Sequence, residues 1–285
     1  MKSLVTFFIA ICMVWGSYAS WPQPKRGFYF KLNQWWVVYD QFYSETGHIF
    51  DSRTRSIGNT SIYAEYGFTD RLTGIVYFPF FSKHTLFEQK NATNGNVIEE
   101  GDKVSGVGDS EITLKYALLT DNPIIITTSL VLGLPLGQSD GGYDGSLQTG
   151  DGEFNQMLRL DVGGSMKIGK HYPYFLAFGA YNNRSSGFSD EFRYGLEAGI
   201  SLGILTPLIR FMSVQSLYNG SLNESLFGTY LSGNNYESTI ISPELIINFT
   251  DKWGLALNYT KPLSGQLSLA SASFAVGIFL DMDSL

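Results

Sequence analysis

Apolar and polar residues alternate along most of this chain with a period of two, and Gly, Asn, Asp and Pro interrupt the alternation at short intervals. Within Glu111–Tyr116, the residues Glu111, Thr113 and Lys115 share one face, and Ile112, Leu114 and Tyr116 share the other. Further on, Phe192, Tyr194, Leu196, Ala198, Ile200 and Leu202 line up against Arg193, Glu197 and Ser201. Trp253, Leu255, Leu257 and Tyr259 stand opposite Gly254, Ala256, Asn258 and Thr260. Helical periodicity is scarce. The pattern predicts twelve strands, at residues 28–42, 57–68, 71–82, 106–119, 123–137, 153–168, 172–184, 190–203, 206–219, 237–249, 252–262 and 268–281.

The connections add a second pattern. Thr69-Asp70, Thr120-Asp121-Asn122, Gly169-Lys170-His171, Ile204-Leu205 and Thr250-Asp251 are tight turns, in which Asp and Asn bond their own backbone and nearby Pro presets φ. The intervening connections, Tyr43–Ser56, Lys83–Ser105, Gln138–Gly152, Ser185–Ser189, Gly220–Tyr236 and Leu263–Leu267, are mostly longer. Short and long therefore alternate. A transmembrane β-barrel with short periplasmic turns and longer extracellular loops has this order; a soluble sandwich has no reason for it. The expected fold class is all-β, a single antiparallel barrel with its apolar face outward. Trp35, Trp36, Tyr39, Tyr77, Phe78, Tyr116, Tyr172, Trp253 and Tyr259 fall near segment ends and are assigned to interfacial aromatic girdles.

The N-terminus fits export. Lys2 precedes the uncharged apolar run Leu4–Trp15, and Ser17-Tyr18-Ala19 suits cleavage between small residues. The run is shorter than the roughly twenty residues of a spanning helix. The division expected is a signal peptide at 1–19 and a barrel domain at 20–285, with the cell outer membrane as destination and its lipid as surroundings. The short stretch Ser20–Arg26 leaves no room for a plug domain before the first strand. Composition agrees: 16% charged and 15% aromatic residues suit a chain whose outer face meets lipid. Without Lys2 the chain has 18 basic against 26 acidic residues, a net charge of −8 that disfavours nucleic acid as a partner. Its single cysteine, Cys12, lies in the signal run, so the exported chain has no thiol chemistry.

Several stretches resemble a known family. They are the hairpin EYGFTDRLTGIVYFPF at Glu65–Phe80, GVGDSEITLKYALL at Gly106–Leu119, LGLPLGQ at Leu132–Gln138 and TGDGEFNQ at Thr149–Gln156. Together they resemble the outer-membrane transporters of the phenol meta-pathway degradation type and, more loosely, the hydrocarbon and fatty-acid channels. The resemblance covers roughly residues 57–165 and implies a barrel and passive uptake of small apolar or aromatic compounds. In two respects the chain departs from the pattern. It ends on Leu285 rather than an aromatic residue, and it lacks the N-terminal hatch of the hydrocarbon channels.

Candidate chemistry is sparse. His48 and His84 fall in predicted outer loops and His171 in a turn, none with a second ligand at metal spacing. Asp140, Asp144, Asp151 and Glu153 are a possible hard-cation set, with a solvated polar loop the commoner outcome. TGDG lacks the Lys-Ser/Thr of a phosphate loop, and strand serines such as Ser129 and Ser201 have no histidine predicted beside them. No enzyme, cofactor or metal is expected. The functional candidates are inward charges that line a lumen: Glu65, Glu111, Lys115, Arg159, Asp161, Arg193, Glu197, Arg210 and Glu244. Four are basic and five acidic, a near balance that argues against strong ion selectivity. Two roles remain open for them, a field along a solute path or pairing that only satisfies the interior. Tyr63 and Phe178 are inward aromatics that either line an apolar path or fill space. The expected function is a narrow passive channel for small solutes, apolar or aromatic ones among them. The alternative is a structural or surface-interaction barrel.

Overall fold

The computed structural model describes residues 21–120, 123–221 and 232–282. The proposed signal peptide and the turn residues Asp121 and Asn122 lie outside them. The strands are β1 (Phe28–Tyr43), β2 (Ile49–Gly67), β3 (Leu72–Leu86), β4 (Gln89–Lys90), β5 (Val97–Glu99), β6 (Asp102–Gly106), β7 (Ser110–Leu119) and β8 (Ile124–Leu134). They continue with β9 (Asn155–Ser165), β10 (Tyr172–Arg184), β11 (Glu191–Ser201), β12 (Leu205–Ser216), β13 (Ser232–Asn248), β14 (Trp253–Leu269) and β15 (Ser273–Met282).

All pairings are antiparallel and most join chain neighbours, and β1 pairs with both β2 and β15, so the sheet closes. β6 and β7 pair with successive parts of β3 and form one interrupted stave, while β4 and β5 make a separate small hairpin. The barrel thus has twelve staves. Closure removes the free sheet edges that lipid will not tolerate.

Burial alternates along the staves. In β11 the positions Glu191, Arg193 and Glu197 are buried while Phe192, Tyr194 and Leu196 are exposed, Leu196 by 60%. Leu32, Ile112, Leu114, Leu158, Ile209 and Ile278 are likewise exposed apolar residues, and buried Lys, Arg, Glu and Asp occupy the other face. The arrangement inverts that of a water-soluble barrel, as the bilayer requires.

The sequence-based turns hold in chemical detail at two places. Phe68 N donates to Leu72 O, and Thr69 Oγ1 accepts from Arg71 N and Leu72 N at 3.2 and 3.0 Å. Phe249-Thr250-Asp251-Lys252 repeats this: Phe249 N donates to Trp253 O, and Thr250 Oγ1 accepts from Lys252 N and Trp253 N at 3.2 and 3.0 Å. The opposite end differs from expectation. The predicted loop Tyr43–Ser56 is mostly strand, leaving only Ser44–His48 as the connection, with Gly47 at φ 76°. The predicted loop Leu263–Leu267 lies inside β14, and much of Lys83–Ser105 is strand as well. β1, β2, β13 and β14 run 16 to 19 residues, well beyond the roughly ten that cross a bilayer. In β2 the run Asp51–Ser56 is polar on both faces and so lacks the apolar alternation that marks a strand in sequence. Two strand prolines sit at register shifts, Pro79 opposite the Thr60/Ile62 irregularity and Pro262 at the Thr239/Ile240 one, where a missing N–H costs no ladder bond.

The girdle assignment needs correction. Trp36, Tyr116, Trp253 and Tyr259 are exposed on the outer face, but Trp35 and Tyr39 are buried inside. Adjacent strand residues point to opposite faces, so Trp35 and Trp36 cannot both meet lipid. Tyr172 and Tyr77 also belong to the inward register, each lining an interior cavity.

Candidate functional site: the barrel lumen

Inward residues form layers along the lumen between its two ends, one carrying the short turns and one the long connections. At the turn end, Tyr29, Leu208, Ile246 and Phe279 make an apolar layer with Tyr63 packed against it. Toward the loop end, a larger layer contains Trp35, Val37, Tyr39, Phe42, Ile57, Phe188, Leu269 and Ala275. Phe188 reaches it from the β10–β11 connection. Charges lie beside and between these layers.

All nine sequence candidates occupy the inward register, and all but Glu111 are buried. They do not form one cluster. Arg210 bridges two of them, donating to Glu197 through Nε and to Glu244 Oε2 through Nη1 at 2.9 Å. Lys31 Nζ lies 3.9 Å from Glu244 Oε1, reaching from β1 to β13 past two intervening strands. Tyr174 donates to Glu197 Oε1 at 2.8 Å, and Asn258 to Glu244 at 3.2 Å. Arg159 and Asp161 pair along β9 at 2.8 and 2.9 Å, with the guanidinium carbon 3.8 Å from the Phe178 ring centre. Glu65 accepts from the Tyr63 hydroxyl and, at 3.2 Å, from Gln23 Nε2.

Arg193 belongs to a second network that the sequence reading missed. It donates to Glu191 at 2.8 Å, and Glu191 also pairs with Arg184 at 2.6 Å. Arg184 further holds Glu153 at 2.6 Å and Asp151 at 3.7 Å. Lys31 and Glu191 were within reach of sequence, since each sits two residues from an inward polar neighbour, Asn33 or Arg193. Asp151 and Glu153 were not, because only the path of their loop brings them inside. The possible cation set is dispersed accordingly: among the described residues no three acids, histidines or cysteines gather as a metal site.

Lys115 stands apart. It is 3% exposed, its rung neighbours are Thr73 and Ser129, and its Nζ has no hydrogen-bond partner among the described residues. A buried ammonium without a partner is costly unless water or a solute reaches it. Glu111, on the same strand, is only partly buried and lines a small cavity with Asp109, Asp151 and Glu153.

The β8–β9 connection folds inward. Ser146, Leu147, Gln148 and Thr149 are buried, and Gln148 N lies 3.5 Å from His84 Nδ1. His84 is a correction to the loop assignment, being fully buried at the end of β3 with its Nε2 2.8 Å from the Tyr39 hydroxyl. Asp109 ties the loop's neck, accepting from Gly137 N at 2.9 Å and Asp151 N at 2.6 Å. Burial pushes the Asp109 carboxyl above the ordinary carboxylate range. Burial, with Asp109 and Glu153 beside it, pushes Asp151 well above that range.

An outer membrane channel from Pseudomonas putida F1 superposes with a TM-score of 0.62 at 15% identity, over 94% of this chain and 100% of that one. The β domain of the Bordetella autotransporter BrkA gives 0.51 at 14% identity, over 90% of this chain and 100% of that one. The fold is that of outer-membrane β-barrels. No family model matches the chain. No curated protein matches it either. One neighbour is a channel and the other the β domain of an autotransporter, so the fold alone does not choose a function.

Proposed function

We propose that the protein is a narrow outer-membrane channel, exported by an N-terminal signal peptide and passing small solutes by passive diffusion. The turn end then faces the periplasm. The observation that carries the reading is Lys115, a buried ammonium on the inner wall whose Nζ has no hydrogen-bond partner among the described residues. A buried ammonium is costly without a partner, and water or solute entering the lumen would supply one. The Glu197–Arg210–Glu244–Lys31 series and the Arg159–Asp161 pair lie along the same lumen, with Glu65, Glu111 and Arg193 completing its wall. The P. putida neighbour's description as a channel agrees with this. The family resemblance, of the phenol meta-pathway degradation type, favours small apolar or aromatic solutes, and the aromatic layers at both ends of the lumen suit them. Proteoliposome swelling tests the reading: vesicles carrying the folded barrel should admit small uncharged solutes faster than empty vesicles. Equal rates would overturn it.

The structural-barrel reading draws on one observation, the Trp35–Phe42 layer with Phe188, which fills the loop end of the lumen beside β1. Under that reading swelling would be absent, and removing long connections would alter surface binding instead.

A further inference from the structure

At the turn end of the lumen is a cavity of about 440 Å³, within the size range of small-molecule sites. One of its walls is the segment before β1, Trp21-Pro22-Gln23. The facing wall comprises inward positions of β10 to β13, including Tyr174, Ser201, Thr206 and Asn248. Ile246 is shared with the apolar layer above.

The segment is fastened to one side of the mouth. Gln23 N donates to Thr73 Oγ1 at 2.9 Å, Lys25 N to Asp70 Oδ1 at 2.9 Å and Arg26 N to Gly67 O at 2.7 Å. From that anchorage on β2 and β3 it reaches across to β10, where Trp21 meets Tyr174 edge-on, centroids 6.0 Å apart and planes at 87°. The described segment Trp21–Gly27 is long enough to cross this opening.

The lining dictates the chemistry of an occupant. Trp21, Tyr172 and Tyr174 offer ring faces. Gln23, Ser165, Ser201, Thr206 and Asn248 offer uncharged amide and hydroxyl groups. Gln23 Nε2 is taken up by Glu65 and Ser165 Oγ by Pro173 O, so a purely apolar occupant would leave the side chains of Ser201, Thr206 and Asn248 unmatched. Among the described lining residues an anion would meet the Asp281 carboxylate and no basic side chain. A sugar ring satisfies both sets, its C–H face lying on an aromatic ring and its hydroxyls bonding the amides and hydroxyls.

We infer that the space beneath Trp21 is a binding site for a small neutral saccharide, with its C–H face against the Trp21 ring and its hydroxyls hydrogen-bonded by Ser201, Thr206 and Asn248. The site does not depend on conduction, because binding is read without flux.

The test uses the protein refolded in an amine-oxide detergent, since glucoside and maltoside detergents would compete. Glucose, sucrose, glucuronate and benzyl alcohol are titrated by calorimetry and by saturation-transfer NMR. Glucose or sucrose should bind, glucuronate should bind more weakly than glucose, and Trp21→Ala and Asn248→Leu should each weaken sugar binding at least tenfold. Trp21 lies outside the barrel strands, so its variant keeps the heat-shifted SDS mobility that marks a folded barrel. Absence of sugar binding, or binding unchanged in both variants, overturns the inference. So does tighter binding of benzyl alcohol than of either sugar, which would make this an apolar aromatic site.

Discussion

At the scale of single residues, two buried cations behave oppositely. Arg210 is shared by Glu197 and Glu244. Arg210→Ala would leave two buried carboxylates without their common partner, so the refolded barrel should lose about 3–5 kcal/mol in urea titration. Among the described residues Lys115 Nζ has no hydrogen-bond partner to strand. Lys115→Met should therefore leave stability unchanged or raise it, while altering whatever passes the lumen. Equal losses in the two variants would show that Lys115 is held by the protein rather than by solvent. All nine candidate charges came from alternation alone, because a charge flanked by apolar residues in a strand has only one face to occupy. What alternation does not give is partnership. The reach of Lys31 to Glu244 depends on barrel closure, and the convergence of Asp151 and Glu153 on Arg184 depends on a loop's path.

At the scale of elements, the turns were legible and the loop end was not. Thr69 and Thr250 each accept two backbone N–H bonds at the same position of the same tetrapeptide pattern. Thr250→Ala should cost about 1 kcal/mol in the same urea titration, with Thr250→Ser recovering most of it. In the outer part of β2 the run Asp51–Ser56 is polar on both faces, so the alternation is lost and sequence reads a loop. The β8–β9 connection carries a pH dependence. Burial raises the carboxyls of Asp109 and Asp151, so the docked loop binds protons more readily than the released loop. Docking is then fully favoured below the ordinary carboxylate pKa and is lost as pH rises through the raised values. Hydrogen exchange of residues 135–154, corrected for intrinsic rates, should show more protection at pH 5 than at pH 8. Asp109→Asn should flatten the difference. Greater protection at pH 8 would mean that the carboxylates are held charged.

At the scale of the whole molecule, a closed twelve-stave barrel with an apolar exterior and a charged interior encloses aromatic layers near both ends. The single-channel conductance of the folded protein in a planar bilayer tests the central claim most directly. A solvated path past Lys115 predicts small discrete steps whose size or ion preference changes in Lys115→Met and Arg159→Ala. A barrel that shows the heat-dependent SDS shift yet gives no steps would contradict it, leaving a lumen closed to ions and a structural role for the charges within.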